Sequence, residues 1–104
     1  MKTFEQLWAN LQTNMRIGTE IKNWTAANGY LGDKMTVVNV SNNMTQIEAP
    51  KAKNIQSISK SEFEKVWGVW SEYINKKMPR HELRDITHFS KYIISILFWL
   101  DKEC

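Results

Sequence analysis

Apolar residues recur along this chain with three different spacings, and each spacing predicts an element. Phe4, Leu7, Trp8 and Leu11, with Met15 one turn further on, follow the i, i+3, i+4, i+7 pattern that draws one stripe on a helix. Thr3 with Gln6 three residues later fits a capping box, so a helix is predicted over about 3–15. Met35–Val40 is rich in β-branched residues, and Met44–Ala49 alternates polar with apolar. The intervening Ser41, Asn42 and Asn43 tolerate positive φ, which makes an antiparallel hairpin over about 35–49 the economical reading. Pro50 closes its second strand, and Ile55–Ile58 is a candidate third strand after the Lys51–Asn54 loop. Such a small sheet needs helices to pack on. Residues 16–34, broken by Gly18, Gly29 and Gly32, leave both a short helix and an extended piece open.

The second half is more legible. Ser59 with Glu62 fits a capping box, and Ile58 with Phe63 a hydrophobic staple. Phe63, Val66, Trp67, Trp70 and Ile74 then mark one face of a helix running to about Lys77, with Pro79 ending it. A short helix, Arg80 to Ile86, has only Leu83 and Ile86 to bury. After a Thr87-His88-Phe89 turn, Ser90 is placed to cap a last helix through Leu100. The fold class expected is α+β in a single domain, 1–104. An N-terminal helix and a small antiparallel sheet precede a three-helix C-terminal half.

Composition adjusts this picture at a few points. With 42% hydrophobic and 24% charged residues the chain is an ordinary globular sequence, not a disordered one. The single cysteine, Cys104, permits no internal disulfide and sets aside the disulfide-rich secreted class. The segment from Met1 to Trp8 lacks the greasy stretch of a signal peptide. The longest apolar run, Tyr92 to Leu100, is nine residues, against about twenty for a membrane span. No membrane partner and a cytoplasmic location are therefore expected. The net charge of +3 is unevenly placed: residues 1–50 carry four basic and four acidic side chains, residues 51–104 ten and seven. Contact with nucleic acid is permitted by this balance without being demanded.

Candidate chemistry is sparse. Residues 80–93 resemble a helix-turn-helix: a short polar helix, a three-residue turn, and a second helix opening Ser-Lys-Tyr. The likeness is generic, covers roughly the last 45 residues, and attaches to no family. In it Lys76, Lys77, Arg80, Arg84 and Lys91 would supply phosphate contacts. The last helix argues partly against base reading. Ile93, Ile96, Leu97 and Leu100 fill its core sector, Ile94 and Phe98 flank it on one side, and Tyr92 and Trp99 on the other. Only Lys91, Ser95 and Lys102 are left as a polar stripe. An open Ile94–Phe98 flank would instead make a self-association surface, giving a homodimer. His81, Asp85 and His88 fall at i, i+4, i+7, a thinkable metal set, but the predicted turn separates them and a solvated polar face is the plainer reading. Trp67 and Trp70 are better placed to fill the core than to stack ligands. No nucleophile–base pair, P-loop or dinucleotide fingerprint is present, and no cofactor is expected. A non-catalytic binding module thus leads, with nucleic acid as partner. A homodimerising interaction module comes second, and a metal-dependent enzyme third. In size and composition the chain resembles short proteins of bacterial accessory genomes.

Overall fold

The computed structural model describes residues 3–49 and 54–103. Helix α1 spans Phe4–Asn14, and its Thr3 cap is reciprocal as expected: Gln6 N–H donates to Thr3 Oγ1, and Thr3 N–H to Gln6 Oε1. Its stripe of Leu7, Trp8 and Leu11 is buried, with Met15 just beyond. Four strands follow, β1 (Glu20–Thr25), β2 (Gly29–Val40), β3 (Met44–Glu48) and β4 (Gln56–Ser59), paired antiparallel in the order β1-β2-β3-β4. The expected hairpin and third strand are thus β2, β3 and β4; the segment left open contributes β1 and the first half of β2. Pro50 and the Lys51–Lys53 part of the expected loop, like Cys104, lie outside the described residues.

Two irregularities shape the sheet. Lys22 pairs with Lys34 but Trp24 with Tyr30, so Leu31, Gly32 and Asp33 stand opposite Asn23 alone. Gly32, at φ +96°, absorbs this wide bulge. A second shift between Val37 and Asn39 places one extra residue, Val38, in β2 against β3. The β1–β2 turn closes through Gly29, whose φ of +69° is a left-handed conformation that glycine takes without strain. The Ser41–Asn43 connection differs from expectation, since none of its residues takes positive φ. It is held from outside instead, by Trp8 Nε1–H on Asn42 O (2.9 Å) and Gln12 Nε2–H on Ser41 O (2.9 Å).

Four C-terminal helices stand where three were expected: α2 (Lys60–Trp67), α3 (Trp70–Ile74), α4 (Arg80–Ile86) and α5 (Ser90–Glu103). The expected 59–77 helix breaks at Gly68 and Val69. The buried stripe runs Phe63, Val66, Trp70, Tyr73, so Tyr73 rather than Ile74 faces inward, while Trp67 is half-buried. Ser59 occupies the N-cap position of α2, but its hydroxyl meets Ser61 Oγ and makes no cap bond. Ser90 is the first residue of α5 and is buried; Phe89 N–H donates to Thr87 Oγ1, so threonine supplies the local hydroxyl.

One face of the sheet (Ile21, Met35, Val37, Ile47, Ile58) joins α1, α2 and α5 in one continuous core. The Cα radius of gyration, 12.6 Å, matches the roughly 13 Å of a compact chain of about 100 residues. Among the described residues no helix is long and apolar enough to cross a membrane.

Candidate functional site

Helix α5 decides which surfaces remain for function. It packs along β1, the edge strand, and Ser95 Oγ accepts the Trp24 N–H at 3.0 Å while donating to Lys91 O at 3.2 Å. The serine expected in a polar stripe is therefore buried, satisfying a strand edge that would otherwise lie open. Ile93, Ile94, Ile96, Leu97 and Leu100 are buried with it. This corrects the expected Ile94–Phe98 flank: Ile94 is fully enclosed, and Phe98 is covered on one face by Trp24, stacked at 3.9 Å and 7°. Among the described residues the side of α5 left open carries Tyr92, Phe98 and Trp99 beside Lys91, Asp101 and Lys102, few hydrogen-bonding side chains for base edges.

Around the open edge of Phe98 lies a groove of about 170 Å³ lined by Glu20, Lys22, Tyr30, Ser95, Trp99 and Lys102. Tyr30 is 59% exposed, and Lys22 and Lys102 lie over the Tyr30 and Phe98 rings at 5.6 and 5.4 Å.

The basic segment occupies the opposite end of β1. Helix α3 ends in a Schellman motif: Lys76 N–H donates to Tyr73 O (3.0 Å) and Lys77 N–H to Glu72 O (2.9 Å). The left-handed residue this motif requires is Lys76, at φ +61°, where glycine is the usual occupant. Pro79 then turns the chain into α4. Lys76 and Arg80 thereby come to line one pocket of about 260 Å³, with Met78 and Pro79 on their side and the β1–β2 turn, Thr25 to Asn28, on the other. Tyr73 also lines it, its hydroxyl accepting the Ala26 N–H at 3.1 Å; Thr25 Oγ1 accepts the Asn28 N–H at 3.1 Å. Arg80 Nε is buried and makes no hydrogen bond. Lys77 and Arg84 are exposed and Lys91 half-buried, all outside this pocket; Arg84 follows Arg80 by one helical turn. Among the described residues none of these five cations is in an ion pair, whereas Lys34, Lys60 and Lys65 pair with Glu20, Glu5 and Glu62.

His81, Asp85 and His88 do not assemble. All are exposed, and among the described residues no group of three metal-ligating side chains occurs. His88 instead lies near Glu62. Glu62 accepts from Lys65 Nζ at 3.3 Å through Oε1, and its Oε2 is buried beside the Thr87 hydroxyl without a well-formed hydrogen bond. The Thr87 hydroxyl, then Lys65 and His88, hold the carboxyl below the usual range against the opposing effect of burial. Glu62 thus ties α2 to the α4–α5 turn and does not act as a cap.

Sequence reasoning missed Tyr73 and Thr25 at this site. Tyr73 was detectable as the residue three after Trp70 on the helix stripe. Nothing local marks Thr25, whose role depends on where the turn is brought. Comparison with known proteins brings no match: no family model, curated protein or solved structure is similar to this chain.

Proposed function

We propose that this chain is a non-catalytic module that contacts nucleic acid through its phosphates, with Lys76, Lys77, Arg80, Arg84 and Lys91 as the contact set. The observation that carries the reading is that five cations fall within one short stretch and none is neutralised by a carboxylate among the described residues. Cations without a carboxylate partner, three of them exposed and two half-buried, suit counterion release from a polyanion. Because α5 is buried, the contact is one of backbone and shape rather than of base edges. Anisotropy titrations of duplex and single-stranded oligonucleotides at several salt concentrations test it. Five phosphate contacts give a log–log slope of roughly −3 to −5. Absence of binding to either form at low salt ends the reading.

A second reading, self-association, is favoured by the exposed Tyr30 and Leu31 beside half-buried Phe98 and Trp99. Any homodimer contact would use that cluster, since Ile94 is enclosed. A solution mass near 12.3 kDa at tens of micromolar removes it.

A further inference from the structure

We propose that the pocket between the β1–β2 turn and the α3–α4 connection is a binding site for a phosphate group. This inference rests on the nucleic-acid reading for the source of the phosphate, but not for the chemistry of the pocket.

The argument begins with hydrogen-bond capacity. A hydroxyl can accept and donate, and the hydroxyls of Tyr73 and Thr25 each accept a backbone N–H, from Ala26 and Asn28. Neither hydroxyl proton meets an acceptor among the described residues, although Tyr73 and Thr25 are only 3% and 5% exposed. Arg80 adds a guanidinium whose Nε is buried and unbonded, and Lys76 an ammonium. Among the described residues no carboxylate lines the cavity. Donors without acceptors, under two positive charges, are the complement of an oxyanion with several lone pairs. An oxyanion in the pocket would accept the hydroxyl protons that meet no acceptor among the described residues.

The backbone adds an independent argument. Lys76 holds a left-handed conformation in a motif where glycine carries no such strain. Glycine there would relax the chain and take the charge away from the pocket.

The experiment titrates inorganic phosphate into the protein at low ionic strength, followed by backbone amide NMR and calorimetry. Saturable shifts of Ala26, Ala27 and Asn28 are expected. Arg80→Gln should weaken binding by about tenfold or more, as for loss of a charge-assisted hydrogen bond. Lys76→Gly should weaken it similarly while raising Tm, so lost binding is not mistaken for lost folding. Arg16→Gln, an exposed arginine outside both the pocket and the contact set, should leave phosphate binding unchanged. Phosphate shifts scattered over all lysines, or unaltered by Arg80→Gln and Lys76→Gly, overturn the site. The same variants titrated with an oligonucleotide separate the two ideas. Phosphate bound in the pocket without oligonucleotide binding keeps the site and removes nucleic acid as its source. Oligonucleotide binding indifferent to Lys76→Gly and Arg80→Gln, together with phosphate shifts that the two variants leave unaltered, keeps nucleic acid and removes the site.

Discussion

Replacing Ser95 by alanine tests the argument that one buried hydroxyl closes the edge of the sheet. The Ser95 oxygen is the acceptor for the Trp24 amide at 3.0 Å, and α5 packs directly on β1 there. Alanine keeps the helix and its apolar neighbours but leaves the Trp24 N–H partly buried without an acceptor. An orphaned donor costs about 1–3 kcal/mol, while the second bond, to Lys91 O, is a helix-internal extra whose loss matters little. For a domain of this size that is a drop in Tm of roughly 5–15 °C. Thermal unfolding by circular dichroism supplies the global number, and amide hydrogen exchange the local one. Protection of the Trp24 amide should fall by more than that of β3 amides in the same variant. Ser71→Ala, at an exposed helix position, is the control and should stay within about 0.5 kcal/mol of wild type. If Ser95→Ala melts like wild type with Trp24 protection intact, another acceptor or water serves that edge, and the reasoning fails.

Thr3→Ala should cost about 1 kcal/mol because both bonds of its capping box are present, whereas Ser59→Ala should cost almost nothing; denaturant titrations of the pair check the contrast. Trp70→Ala should cost about 3–5 kcal/mol, and Trp67→Ala distinctly less because that ring is half-buried; equal losses would refute the assignment of the stripe. Glu62 has a folded-state pKa lowered by the Thr87 hydroxyl, Lys65 and His88. Its contribution is therefore present above the unfolded value, about 4.3, and lost as pH falls through the depressed folded value. Glu62→Gln should lower Tm near neutral pH and converge with wild type in acid; a constant offset across the pH series would contradict this.

The local elements were legible because they depend on neighbours in sequence. Thr3 and Gln6 meet across one helical turn, the hairpin strands announce themselves by β-branched residues and alternation, and Pro79 ends a helix wherever it stands. What the chain could not disclose was every feature that depends on a distant partner. The Ser59–Glu62 pattern reads as a cap, yet Thr87 and Lys65 claim the carboxylate, because α2 folds against the α4–α5 turn. Ser95 reads as a polar stripe but is buried, because an edge strand 71 positions away in sequence presents it with an amide. Ile94 reads as an open flank until the sheet and helices close over it. For the candidate site, sequence alone picked out Lys76 and Arg80 by charge. It could not show that Thr25 and Tyr73 would complete a pocket with them, because β1–β2 and α3–α4 meet only after the core has formed. Local propensity acts over three or four residues, whereas burial and hydrogen-bond satisfaction are balanced over the whole domain. The first determined the elements, and the second decided which of their polar groups remain free to bind.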